Sequence, residues 1–305
     1  MTTGGSGNRF ATSLTVLAKD MLWEIVSITR RNSSIKIGLT IILVYIVLTA
    51  LAPYITSYRP EDTDPSSIFQ PPNSKHWFGT DEMGRDLFTL NIYSIKTSLI
   101  VGLSAAAITA IIGLVVGLIS GYYGGLVDEV LMQVVNFLLT IPSIVLMIVI
   151  GSIIGSSIAS VILIIGLLNW SPIARVVRSI VLSLKEWAYI EAARSLGASN
   201  SWIIIIRHIL PAVIPVTIAN TVLSVSTAIF SHAALVFMGV GSIGDWNWGL
   251  ILYNAYTSGA LAAGIWWYFI PPGTMLVALA YSIMLIGNGL EKEFNPRLPQ
   301  TSSQH

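Results

Sequence analysis

Residues 97–127 read TSLIVGLSAAAITAIIGLVVGLISGYYGGLV, an interval bounded by Lys96 and Asp128 that contains no Asp, Glu, Lys or Arg. About 20 apolar residues in helical conformation cross a hydrocarbon core, so the interval has the length and polarity of a membrane span. Within it Gly113, Gly117 and Gly121 recur at every fourth position, preceded by Gly102, Ala106 and Ala110. That period puts small residues in one stripe, and such a stripe lets two helix backbones approach closely in lipid. We read it as packing between helices of the same chain, with a subunit interface as the alternative.

The same test applied outward finds more charge-free intervals. Lys36 to Arg59 holds one span and Arg207 to Asp245 another. Glu129 to Arg175 is too long for one crossing and is read as two, hinged near Gly151–Ser157. Asp245 to Glu291 is read as one span over 269–290 preceded by an external segment rich in aromatics. The expected fold is therefore an all-α polytopic membrane protein with six transmembrane helices. Its organisation is an N-terminal segment 1–34, a first span 35–57, an external loop 58–95, a core region 96–300 and a tail 301–305. Residues 10–30 carry Leu14, Leu17, Met21, Ile25 and Ile28 at helical spacing. They suit an amphipathic helix on a membrane surface or partner, or equally a plain extension into the first span. Pro142, Pro172, Pro215, Pro271 and Pro272 fall in or near spans, where each removes a backbone donor and favours a kink.

Composition agrees with lipid as the surrounding solvent. Of 305 residues 54% are hydrophobic and only 10% charged, and mean hydropathy is +0.75. Soluble domains carry about 25% charged residues. The formal net charge of +1 gives no reason to expect nucleic acid, and the absence of cysteine removes disulfides, thiolate metal sites and a cysteine nucleophile. No cleavable signal peptide is legible in the polar first 13 residues. Lys and Arg concentrate in the N-terminal segment, in the 175–207 connection and after the last span at Lys292 and Arg297, whereas the 58–95 loop is rich in Asp and Glu. With six spans this bias puts both termini in the cytoplasm of a multi-pass plasma-membrane protein. Trp246, Trp248, Tyr253, Tyr256, Trp266, Trp267 and Tyr268 then cluster outside, as an aromatic belt or interfacial segment.

The connection between the fourth and fifth spans carries the mechanism. Residues 184–200 read LKEWAYIEAARSLGASN. Leu184 to Leu196 are mostly good helix formers, Gly197 suits the left-handed position after a helix, and Ser199 or Asn200 can cap the next. Ala192 and Ala193 form a small-sided patch with Glu191 and Arg194 beside it. A smooth patch rimmed by charge fits a groove on a soluble partner; a capped cytoplasmic helix with no such role is the plainer reading.

Glu191-Ala192-Ala193, then Gly197, then Ile209-Leu210-Pro211 resemble the "EAA" signature of permease subunits of ABC importers. Three further landmarks resemble one branch, the dipeptide/oligopeptide/nickel permeases, and within it the second, C-type (DppC/OppC-like) subunit. His76 to Asp86, HWFGTDEMGRD, looks like its external-loop signature, with Phe78, Gly79, Thr80, Asp81, Gly84, Arg85 and Asp86 as signature residues. FMGVG at 237–241 with WNWG at 246–249 looks like its second external region, and NGL at 288–290 with NPRL at 295–298 like its C-terminal end. The interval from Gly197 to Leu210-Pro211 is one residue longer than the usual pattern.

The resemblance implies a type I ABC importer permease fold and a coupling helix over 184–200. Glu191, Ala192, Ala193, Arg194 and Gly197 would contact an ATP-binding subunit. It implies a sister permease as heterodimer partner, two ATP-binding subunits, and an extracellular binding protein delivering peptides, or in some members oligosaccharides, over the 58–95 loop. No phosphate loop of the form G-x-x-x-x-G-K-[ST] occurs, so ATP and Mg belong to the partner subunits; no cofactor or metal is expected in this chain. The inferred spans hold no charged residue, which argues against a proton relay. His232 is the nearest pathway candidate, with a neutral helix-interface role as the plainer one. An ion-coupled secondary transporter or channel is the alternative function. A membrane enzyme is disfavoured, because neither a Ser–His–acid set nor a His-x-x-x-His pair appears.

Overall fold

In the computed structural model, residues 31–155, 157–188, 190, 204–241 and 245–294 are described. The 1–30 segment, most of the 184–200 segment, the 295–298 motif and the tail lie outside them. Nine α-helices are described: α1 (Ser33–Ile55), α2 (Leu87–Tyr123), α3 (Gly125–Thr140), α4 (Ser143–Ile154), α5 (Ile158–Leu168), α6 (Ser171–Leu184), α7 (Leu210–Phe237), α8 (Trp248–Thr257) and α9 (Trp266–Phe294). Among the described residues five stretches are long and apolar enough to cross a membrane: α1, α2, α5 with α6, α7 with the turn before it, and α9. The third crossing of the sequence reading falls on α3 and α4, which meet at 91°.

That bend refines the expectation for 129–175. The turn near Gly151–Ser157 exists, at Gly155, but a second break lies at Ile141-Pro142. Pro142 has no N–H and disfavours helix at the residue before it, and Ile141 is accordingly extended (φ −92°, ψ 133°).

The start of the second span also moves. α2 begins at Leu87, inside the stretch read as external loop, and Lys96 lies within it. Asp86 is the reason: its Oδ2 accepts from the Thr89 N–H at 2.8 Å and from the Thr89 hydroxyl at 2.7 Å, an N-cap that starts the helix early. With 37 residues at 1.5 Å each, α2 is ~55 Å long against a core of ~30 Å. A helix of that length crosses the core with tilt or extends beyond it.

The glycine stripe packs inside the chain. A Cβ on Gly113, Gly117 or Gly121 would lie 2.7, 2.6 and 2.7 Å from Cβ of Ile173, Val177 and Val181 on α6. Three successive turns of α2 thus fit three β-branched side chains of α6 at backbone distance, the dispersion-driven packing that lipid leaves available. The same device recurs where Gly102 meets Ile229 of α7, and where Gly289 of α9 meets Ile35 of α1.

α7 is preceded by a π-helical turn at Ile205–Ile209 and carries Pro211 in its first turn. A π turn closes i to i+5 and so takes up one residue more than an α turn. It gives the longer interval before Leu210-Pro211 a structural expression.

Candidate functional site

Two regions flagged in the sequence bracket the bundle. At the end carrying Tyr123 and Leu184, the signature residues Glu191, Ala192, Ala193, Arg194 and Gly197 lie outside the described residues. Their flanks are described. Ile190 and Ile204 are both buried in one apolar cluster with Ile173, Val177, Val181 and Leu184 of α6 and Ile205 and Ile209 of the π turn. The segment therefore leaves and re-enters the chain at a single core. Ahead of it, Lys185 donates from Nζ to the Gly121 carbonyl at 3.3 Å, tying the end of α6 to the end of α2.

Beside that junction α3 is fastened to α6 by polar contacts. Arg178 Nε and Nη2 donate to Asp128 Oδ1 and Oδ2, both at 2.5 Å, and Ser120 of α2 donates to the same carboxylate. Two turns along, Arg175 Nη2 donates to Asn136 Oδ1 at 2.9 Å. The sequence reading used Arg175 and Arg178 only as positive charges for orientation. Their spacing of three on one helix face, opposite an acidic residue in the next helix, was the signal available.

At the other end, 56–86 folds into a cap in which all seven external signature residues are placed together. The Asp81 carboxylate is fully buried. Its Oδ1 accepts from the Met83 and Arg85 N–H groups at 2.8 Å each, and Arg85 Nε reaches Oδ2 at 2.5 Å. Burial pushes the Asp81 carboxyl above the usual carboxylate range, with Arg85 pulling it back. Arg85 also donates to Glu82 at 3.1 Å and stacks over Trp246, 4.7 Å from the ring centroid. Glu82 in turn accepts from the Tyr268 hydroxyl of α9. The cap is thereby bolted both to the α7–α8 connection and to the start of α9.

The remaining signature residues shape its backbone. Gly79 (φ +70°) and Gly84 (φ +72°) occupy the left-handed region, and a Cβ on Gly84 would fall 1.9 Å from the Asp64 carbonyl oxygen. The Thr80 hydroxyl donates to the Ser67 carbonyl and accepts from the Gln70 N–H. Phe78 meets Phe88 edge to face at 5.2 Å. Asp86, besides capping α2, holds His76, whose Nδ1 lies 3.0 Å from its Oδ1.

The acidic loop is thus divided. Asp81 and Asp86 are buried structural groups, while Asp62 and Asp64 are exposed; Asp62, Asp64 and Asp86 line a cleft of about 490 Å³ with Tyr58 and His76. Asp64 accepts from Ser66 and Ser67 and is held down to about 2 by those hydroxyls. Among the described residues no cluster of three His or carboxylate side chains is placed to hold a metal ion. The aromatic group is divided too. Trp248 and Tyr268 are fully buried in the core beneath the cap, with Trp248 edge-on to Tyr45 at 6.2 Å, so these two are packing residues rather than belt residues. His232 is buried within α7.

Comparison with known proteins follows the same outline. A family described as "Binding-protein-dependent transport system inner membrane component" matches residues 113–299, and "N-terminal TM domain of oligopeptide transport permease C" matches 22–72. A putative peptide transport system permease protein of Brucella abortus is 36% identical over 270 residues, covering 88% of this chain and 89% of that protein. The dipeptide transport system permease protein DppC of Bacillus subtilis is 30% identical, covering 88% of this chain and 83% of its own. The oligopeptide transport system permease protein OppC of the same organism is 31% identical, covering 88% and 87%. Among solved structures, an inward-facing form of the MetNI methionine ABC transporter superposes with a TM-score of 0.53 at 23% identity, covering 67% of this chain and 96% of that one, which shows a shared fold.

Proposed function

Because the chain belongs to the family of binding-protein-dependent transport system inner membrane components, non-catalytic permease subunits of ABC importers, we propose that it forms half of a peptide translocation pathway. A sister permease supplies the other half. An extracellular binding protein delivers peptides at the 56–86 cap, and two separate ATP-binding subunits drive the cycle through the Glu191–Gly197 segment. One observation carries the coupling part of this reading: Ile190 and Ile204, on either side of that segment, share a core with α6 and the π turn. A push on the segment would then reach α6, and through the glycine stripe α2, as a rigid shift. Peptide as cargo is supported by the names of relatives 30–36% identical over 88% of the chain.

The testing experiment is uptake of labelled di- to pentapeptides into proteoliposomes holding the permease pair and ATPases, with binding protein added outside. Uptake is expected to need both ATP and binding protein. Uptake by this subunit alone, driven by an ion gradient, would overturn the proposal.

Both termini and the 184–200 segment are proposed to be cytoplasmic, with the cap outside. Ser67 is buried under the cap, so the outer probe belongs at the exposed Ser74. In sealed cells Ser74→Cys is expected to react with an impermeant maleimide, and Ser199→Cys only after the membrane is opened. Labelling of both from outside would refute this topology.

A further inference from the structure

The bent pair α3–α4 joins two parts of the bundle. α3 lies against α2 and α6, with Val135 as its buried residue in a small cluster with Trp170 and Ala174. α4 packs elsewhere, in a cluster of Met147 with Val161, Ile164 and Ile165 of α5 and Ala228 and Leu235 of α7. Most of the large apolar side chains of α3 are exposed, among them Leu126, Val130, Val134 and Phe137. Apolar contact between α3 and α6 is confined to this small cluster, with Met132 and Leu138 half-buried against it.

What holds α3 on α6 besides this is polar and lies next to the 184–200 segment. The Arg178 guanidinium grips Asp128 with two parallel donors, Ser120 of α2 adds a third, and Arg175 holds Asn136 further along. A bidentate Arg–carboxylate pair fixes both distance and angle, which a point charge such as Lys would not. Arg178 lies on α6 at most two turns before Leu184, where the chain enters the segment assigned to ATPase contact.

We propose that Asp128 and Arg178 are a positioning pair that makes α3 move with α6, so that displacement of the 184–200 segment is carried through the 91° bend into α4. This rests on the coupling reading of that segment. The pair touches neither ATP nor cargo. It transmits displacement because its geometry is fixed at the end of α6 that moves, while the far arm of the bent helix packs on α5 and α7. Loss of the pair would free α3 from α6 while leaving the glycine stripe and the ATPase contact in place.

The experiment measures ATP hydrolysis and peptide uptake in the same assembled complex, for Asp128→Asn, Arg178→Lys and the exchange Asp128→Arg with Arg178→Asp. Uptake per ATP hydrolysed is expected to fall about tenfold in Asp128→Asn, in the range of measured couplings between sites. Hydrolysis is expected to stay within about twofold of normal, because the allosteric link need not act on the catalytic subunits themselves. Arg178→Lys should fall in between, and the exchange should recover most of the ratio. If Asp128→Asn leaves the ratio unchanged, or lowers assembly, hydrolysis and uptake in proportion, the pair is not a transmitter and the proposal fails. Ala193→Trp distinguishes the underlying reading. If that variant is normal, the coupling segment itself is misassigned; if it is impaired while the Asp128 variants are normal, only the present proposal falls.

Discussion

Arg85→Ala is expected to destabilise the 56–86 cap by about 3 kcal/mol and to abolish most transport, because it leaves the buried Asp81 carboxylate without its counter-charge. The same substitution removes the guanidinium from Glu82 and from the face of Trp246, so the bolts to α9 and to the α7–α8 connection loosen together. The sign of the pH dependence follows from burial. Asp81 already has a raised folded-state pKa, and loss of Arg85 raises it further. A carboxyl with folded pKa above its unfolded value favours the folded state when protonated. The defect is therefore smallest in acid and grows as pH rises through the folded pKa. Protease nicking of the 56–86 cap, in right-side-out vesicles between pH 5 and 8, reads this directly. Faster nicking is expected in the variant, slowed at the acid end and slowed at all pH values by adding Asp81→Asn. Lys75→Ala, at an exposed position, is the control. Wild-type resistance in Arg85→Ala at pH 8 would mean the ion pair does not hold the cap.

Ala193→Trp, Gly197→Val and Glu191→Lys are each expected to lower peptide uptake and substrate-stimulated ATP hydrolysis together, by tenfold or more. Overfilling a fitted contact costs about 1–3 kcal/mol, and a factor of ten is about 1.4 kcal/mol. Gly197→Val adds a backbone penalty if the position takes positive φ after the helix. Glu191→Lys reverses a charge proposed to meet the ATPase or to cap the segment. Membrane insertion should be normal, because the segment is proposed to lie on the cytoplasmic side of the membrane. Ser303→Trp in the tail should change nothing. The decisive measurement is co-purification of the ATPase alongside uptake. Three variants that bind ATPase and transport normally would remove the coupling assignment, and three that fail to insert would give the segment a structural role instead. This pattern differs from that expected for Asp128→Asn, where hydrolysis persists and uptake does not.

The membrane class and the positions of the five long spans were legible in the sequence because hydrocarbon imposes a local rule: about 20 residues without charge, whatever surrounds them. The positive flanks and the resemblance of 191–193 to the EAA signature were read for the same reason, as properties of contiguous residues, and the roles of both stay proposals. The glycine stripe was legible as a stripe, since helical period follows from sequence alone. Which surface it meets was not, because backbone approach depends on a partner helix some 60 residues away. Only the fold put Ile173, Val177 and Val181 over Gly113, Gly117 and Gly121.

The outer signature shows the same division. Composition made 58–95 an acidic loop, and its carboxylates entered only as charge bias for orientation. The tertiary structure turned Asp81 into a buried ion-pair centre and Asp86 into the cap of a helix that starts at Leu87. It drew Trp248 and Tyr268 out of the supposed belt and into the core beneath. It also made Pro142 a 91° bend rather than a mild kink, and paired Asp128 with Arg178 across 50 residues. Burial and pairing belong to the packed whole: a carboxylate's solvent and a proline's bend are set by what lies opposite. Sequence determined the spans and the family, whereas only packing decided which charges are structural and where the helices break.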